Sequence, residues 1–145
     1  ATINTPSLLA TEDYIASLEW AKSIGGLPEL HARADRNAKI VHDWLEATPW
    51  MRNMVSDPAK WTNTGVCMVF QGDWYEGLDD DAKASVPKKI AGMLEKMDIA
   101  YDFNGYRDAP PSLRIWCGST VEEEDIRRLL QWIEWAFAQV KSELS

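Results

Sequence analysis

Two short segments of the sequence contain side chains suited to binding an anion. In the first, Asn4, Thr5 and Ser7 surround Pro6 at the predicted start of a helix. Free backbone N–H groups and the helix dipole favour a phosphate or a similar anion at such a position. The same residues also make an ordinary helix cap, and their spacing alone favours that simpler interpretation. Both interpretations stay open at this stage.

The second segment places an arginine inside an apolar run. Arg114 lies at the centre of residues 113–116, just after a turn-rich segment that contains Asp108. Because a guanidinium keeps its charge, an arginine in the middle of a strand needs a partner. Two partners fit equally well. One is a nearby acid such as Asp108, and the other is the carboxylate of a ligand, which a guanidinium binds through two parallel hydrogen bonds.

The histidines and cysteines indicate no metal or catalytic site of their own. His31 and His42 lie on one predicted helix without the His-Glu-x-x-His spacing, so we interpret them as structural or solvent-facing. Cys67 and Cys117 are far apart and form no Cys-x-x-Cys motif, which argues against a disulfide framework or a zinc site. We predict that Cys117 is a buried structural thiol.

Acidic runs at 79–81 and 122–124 are better explained as helix starts than as calcium ligands, because the alternating ligands and central glycine of a calcium loop are missing. The sequence also lacks a glycine-rich nucleotide loop and a Gly-x-Ser-x-Gly elbow. No independent catalytic constellation can therefore be assembled from these 145 residues.

Composition limits the classes of protein that remain. The chain has 145 residues, enough for one globular domain, and 23 acidic against 15 basic side chains give a net charge of −8. Such a charge repels a phosphate backbone, so nucleic acid is not an expected partner. There is no apolar run of membrane-helix length and no signal-peptide pattern, although the chain begins with Ala1 and not with Met. We expect a soluble, cytoplasmic protein without a metal.

The first two predicted elements are helices. Thr5 and Pro6 suit a helix start, and the helix should run to about Ile24. A second helix over 28–47 has one apolar stripe and a charged opposite face. The apolar residues of the first helix instead point around most of its circumference, so we expect several sides of it to be covered. These residues are Leu8, Leu9, Tyr14, Ile15, Leu18, Trp20 and Ala21.

The remaining elements predict strands and two further helices. In the helical segment 79–97, Pro87 should either start the main body of the helix or kink it, and we place the break there. The last helix should open on a capping box of Ser119 or Thr120 with Glu122 or Glu123, and its Trp135 points away from the apolar stripe and needs a cover. The predicted strands are 51–55, 66–70, 99–103 and 113–116. The order predicts an α/β fold, a small antiparallel or mixed sheet with helices packed against it.

Three segments resemble the phosphoserine aminotransferase family, within one bacterial and archaeal branch. They are residues 4–7 (NTPS), 20–27 (WAKSIGGL) and 106–118 (YRDAPPSLRIWCG), and the last is the most specific. The resemblance covers essentially the whole chain. It implies a single domain over 1–145, the small C-terminal domain of a fold-type-I aminotransferase, with 1–25 as a linker helix that packs on a large domain.

The resemblance also implies an activity and a cofactor. Family members use pyridoxal 5'-phosphate (PLP) to transfer an amino group between glutamate and 3-phosphohydroxypyruvate in serine biosynthesis, and they are homodimers. Asn4 and Thr5 match residues that reach the PLP phosphate in the neighbouring subunit's site. Arg114 matches the arginine that binds the substrate α-carboxylate. The lysine that forms the Schiff base lies before Ala1 in the family, so we expect the chain alone to be inactive.

Two other functions remain open from the sequence. Another fold-type-I transaminase, such as an alanine–glyoxylate type, would differ in substrate residues outside this chain. A cofactor-free α/β binding or regulatory module could use the same scaffold. Tyr106 and Arg107 match the family motif; we assign them no ligand and interpret them as residues that orient Arg114.

Overall fold

The helices and strands follow the predicted order, except that one predicted strand is absent from the described residues and two short helical turns were not predicted. The computed structural model describes residue 5 and residues 7–145 of the protein. Its helices are α1 (Leu8–Ser23), α2 (Gly26–Ala47), the short α3 (Asp73–Glu76), α4 (Asp80–Lys96) and α5 (Glu123–Leu144). Its strands are β1 (Met51–Asn53), β2 (Gly65–Phe70) and β3 (Ser112–Trp116), and a 3-10 turn spans Pro58–Lys60.

The three strands form one antiparallel sheet in the order β1-β2-β3, which confirms the predicted fold class. The predicted strand over 99–103 is wrong. Asp98 and Asp102 adopt positive φ angles of 57° and 52°, which an extended strand does not allow. Only an isolated bridge between Asn104 and Leu113 continues the sheet on that side, within the described residues.

Successive side chains of each strand point to opposite faces of the sheet, and one of these faces is buried while the other is more open. Val66 and Met68 on β2, with Leu113 and Ile115 on β3, are almost completely buried. Helix α5 packs against both α2 and α4, and these helices supply the other side of the core. The opposite face of the sheet bears Arg114, which pairs across the strands with Cys67. This face is where the candidate site lies.

Helix α4 continues through Pro87, so the predicted break at that residue is wrong. A proline inside a helix removes the N–H that would bond to the carbonyl four residues earlier, here that of Lys83. The Tyr75 hydroxyl donates a hydrogen bond to this Lys83 carbonyl at 3.4 Å. A tertiary contact thus replaces the missing helix bond, which no local pattern around Pro87 indicates.

Helix α1 begins at Leu8, later than the predicted start at Thr5 and Pro6. The Ser7 hydroxyl accepts a hydrogen bond from the N–H of Ala10 and caps the helix. None of the residues of α1 is buried, and its large apolar side chains are exposed. Nothing in the described part of the chain therefore provides the cover that the sequence pattern of α1 predicts.

Candidate functional site

Arg114 lies on the open face of the sheet among three neighbours that fix its side chain. Its Nη2 lies 2.5 Å from Oδ2 of Asp102. Its Nε donates to the carbonyl of Asn104 at 2.9 Å, and the Tyr106 ring centroid lies 4.4 Å from the guanidinium carbon. The acid beside Arg114 is therefore Asp102 and not Asp108. The hydrogen bond with Asp102 is the main cause of the raised pKa of Arg114.

The loop before β3 delivers these neighbours because two backbone hydrogen bonds attach it to the strand. The N–H of Gly105 donates to the carbonyl of Ser112, and the N–H of Arg114 donates to the carbonyl of Phe103. Glycine suits position 105, since a Cβ there would lie 2.2 Å from the Ser112 hydroxyl oxygen and 3.2 Å from the Ser112 carbonyl oxygen, and buried Ser112 would have to move. Backbone packing of this loop, and not the charge of Arg114 alone, therefore sets the positions of the neighbours around the guanidinium.

A cleft of about 620 Å³ opens beside Arg114. Its wall combines the guanidinium and the aromatic rings of Tyr101 and Tyr106 with Trp116 of β3 and Leu129 of α5. The two hydrogen bonds described for Arg114 use two of the five N–H groups of a guanidinium. The cleft can therefore accept a small ligand whose carboxylate meets Arg114 while its carbon atoms contact apolar surface.

The other candidate site is the N-terminal end of α1. Asn4 lies outside the described residues, so its predicted position is not tested. The side chains of Thr5 and Ser7 are exposed to solvent, and the first turn of α1 contains no acidic residue. An anion that approaches this end of the helix meets free backbone donors without like-charge repulsion.

Cys117 is the buried thiol that the sequence predicts, and His42 packs against an aromatic ring. Cys117 is fully buried and burial raises its pKa to about 12, so its thiol stays protonated and inert. Neither Cys67 nor Cys117 is in a disulfide. His42 stacks on Trp61 with ring centroids 4.3 Å apart, and burial lowers its pKa. Among the described residues, no cluster of histidine, cysteine and acidic side chains is arranged to hold a metal ion.

Sequence reasoning missed Asn37, which secures the loop behind the site. This residue of α2 is buried, and its amide donates to the carbonyls of Gly118 and Val121 at 3.2 and 2.9 Å. The predicted capping box of α5 does not form, because Glu122 is the N-cap residue and makes no side-chain capping bond. Helix α2 instead holds the loop between β3 and α5, through the hydrogen bonds of Asn37. A polar residue within the stripe of a predicted helix is the only signal that could have indicated this.

Asn37→Ala is expected to lower the free energy of unfolding by about 2 to 3 kcal/mol, because two loop carbonyls lose a buried donor. Urea unfolding followed by circular dichroism would measure the change. Lys39→Ala on the same helix is the matched control, since Lys39 pairs with exposed Asp43 and should contribute less than about 1 kcal/mol. Equal effects of the two substitutions would contradict the structural role of Asn37.

Comparison with known proteins identifies the family. The phosphoserine aminotransferase of Methanosarcina barkeri is 43% identical over 141 residues, which is 97% of this chain and 35% of the relative. The chain belongs to the phosphoserine aminotransferase family. It corresponds to the C-terminal part of these proteins and spans about one third of their length. No family model matches the chain.

Solved structures confirm the fold of this C-terminal domain. The phosphoserine aminotransferase of Bacillus circulans subsp. alkalophilus matches with a TM-score of 0.75 and 17% identity, over 98% of this chain and 35% of that one. A PLP-bound phosphoserine aminotransferase from Trichomonas vaginalis matches with a TM-score of 0.73 and 21% identity, over 92% of this chain and 34% of that one. The fold is that of a fold-type-I aminotransferase.

Proposed function

We propose that this chain is the C-terminal domain of a PLP-dependent phosphoserine aminotransferase. The full-length enzyme would transfer an amino group between glutamate and 3-phosphohydroxypyruvate in serine biosynthesis. The observation that supports this function best is the placement of Arg114, within the motif that resembles the family, at a cleft of small-ligand size. All substrates and products of this reaction have an α-carboxylate, so one guanidinium can serve both halves of the cycle.

Arg114 would bind and orient the substrate. Its planar guanidinium offers two parallel N–H groups to a carboxylate and so fixes the position and the tilt of the α-carbon. The Tyr106 ring, 4.4 Å from the guanidinium carbon, and the carbonyl of Asn104 hold the side chain in place. A substrate positioned in this way loses orientational freedom before the reaction and not during it.

Asn4 and Thr5 would hold the phosphate of PLP, in the site of the neighbouring subunit. The start of α1 fits an anion, because Thr5 is exposed and the first turn contains no acid. When bound, PLP supplies the electron sink that amino-group transfer requires. The chain's own contribution at this end is to anchor a phosphate, which does not react.

The exposed apolar helix α1 supports the proposed domain organisation. Residues 1–25 would form a linker helix that packs on a large domain, and homodimer formation would bring Asn4 and Thr5 to the second active site. Leu8, Leu9 and Tyr14 are each at least 66% exposed, an unusual amount of apolar surface for one helix. We assign the enzyme to the cytoplasm. No helix among the described residues has the length and apolar character to cross a membrane.

The decisive experiment is a substrate comparison with the full-length protein. Purified with PLP, it should transfer the amino group of phosphoserine to 2-oxoglutarate far faster than it uses alanine and glyoxylate. A preference for alanine and glyoxylate would instead identify another transaminase of the same fold type. Failure to bind PLP, together with saturable binding of a small molecule by this chain alone, would favour a cofactor-free module.

The isolated chain is expected to show no transaminase activity even with excess PLP, because none of its lysines matches the Schiff-base lysine of the family. Coupled assays at enzyme concentrations well above those used for the full-length protein would measure it. Bovine serum albumin with PLP is a suitable background control. Turnover above that background would contradict the assignment of the catalytic lysine to the rest of the protein.

A further inference from the structure

In this structure the carboxylate that pairs with Arg114 comes from the same chain, at Asp102, and not from a ligand. The Asp102 side chain is 86% exposed, whereas that of Arg114 is only 24% exposed. Within the described residues, the acid is therefore held mainly by its contact with the guanidinium. The carboxylate can leave by side-chain rotation alone, without any change in the core.

A ligand carboxylate that binds Arg114 through two N–H groups has to lie beside Asp102. A guanidinium binds a carboxylate through two N–H groups, either along the edge of Nε and Nη2 or along the edge of Nη1 and Nη2. Nε already donates to the carbonyl of Asn104 at 2.9 Å, so the second edge is the available one. That edge uses one of the two N–H groups of Nη2, and Asp102 Oδ2 lies 2.5 Å from the same nitrogen, so the two carboxylates would repel each other there.

The contact between Asp102 and Arg114 depends on the backbone conformation of the loop at Asp102 and not on strand pairing. Its φ of 52° lies in the left-handed region, which Asp and Asn tolerate better than other residues with a side chain. The turn at this residue brings the carboxylate back over β3. A surface ion pair of this kind changes an equilibrium by less than about fivefold, so a carboxylate that makes two hydrogen bonds can displace it.

We propose that Asp102 is a specificity-determining residue that occupies Arg114 until a substrate carboxylate displaces it. Displacement favours ligands that make two hydrogen bonds with the guanidinium over anions that make one. It also raises the apparent KM of every substrate that binds through Arg114 by the same factor. This inference rests on the proposed role of Arg114 in substrate binding.

Asp102→Asn in the full-length, PLP-loaded enzyme tests the proposal. Asparagine keeps the size of the side chain and tolerates the left-handed backbone, but it removes the charge. We expect the KM values for glutamate and for phosphoserine to fall together by a factor of about two to five, with a smaller change in kcat. Steady-state kinetics in both directions would measure these values.

Asp98→Asn is the matched control. Asp98 lies in the same loop with a φ of 57°, and its carboxylate accepts a hydrogen bond from the Tyr101 hydroxyl and not from Arg114. This substitution also removes one negative charge near the cleft. It should leave both KM values unchanged, which separates direct competition at Arg114 from a general change in loop charge.

The combination with Arg114→Ala separates this inference from the proposed function. If Arg114→Ala raises both KM values and Asp102→Asn has no further effect in that background, competition at the guanidinium is supported. If Arg114→Ala raises them but Asp102→Asn alone leaves them unchanged or raises them, the role of Asp102 is overturned and substrate binding by Arg114 stands. If Arg114→Ala has no effect, both proposals fall.

Discussion

Arg114→Ala in the full-length enzyme is expected to raise the KM for glutamate and for phosphoserine by about 100-fold each. The substitution removes two charge-assisted hydrogen bonds to the α-carboxylate, which are worth about 1.5 to 3 kcal/mol apiece, and a tenfold change in affinity corresponds to about 1.4 kcal/mol. Both KM values should change, because both half-reactions present the same group to the same residue. Steady-state kinetics with each substrate varied in turn would measure the effect.

Two further substitutions show whether substrate binding depends on the planar shape of the guanidinium or on its charge alone. Arg114→Lys keeps the charge but loses the planar pair of donors, so it should recover only part of the affinity. Arg128→Ala is the matched control, because Arg128 lies on the exposed side of α5 and pairs with Glu124. It should leave KM unchanged. Unchanged KM values for both substrates of Arg114→Ala would refute carboxylate binding by this residue.

The sheet could be predicted because its strands are short apolar segments, as expected for strands that face a core. Residues 66–70 form a short apolar run bounded by turn residues, and the structure places β2 in the middle of the sheet with most of these side chains buried. The segment 99–103 has a similar apolar composition, yet it is not a strand. There the backbone turns at Asp98 and Asp102, and sequence composition does not report a left-handed φ at an aspartate.

The partners of the candidate site depend on tertiary contacts that local patterns do not encode. An acid beside Arg114 was foreseeable, because a guanidinium in an apolar run needs a counter-charge. Which acid it is depends on the loop path: Asp102 precedes β3 by ten residues, and Gly105 lets that loop lie against Ser112. For the same reason Asn37 was missed, since its two acceptors lie more than 80 residues further along the chain.

Asn4→Ala combined with Thr5→Ala is expected to weaken retention of PLP by about 100-fold or more in the full-length enzyme. Each side chain would donate a hydrogen bond to a dianionic phosphate, and bonds to charged groups contribute about 1.5 to 3 kcal/mol each. Dialysis followed by the absorbance of bound PLP measures occupancy. Ser17→Ala on the same helix is the matched control, because the Ser17 hydroxyl donates to the Asp13 carbonyl within α1 and its loss should not release the cofactor. Full occupancy in the double variant would show that the phosphate is held elsewhere, and the start of α1 would then be an ordinary helix cap.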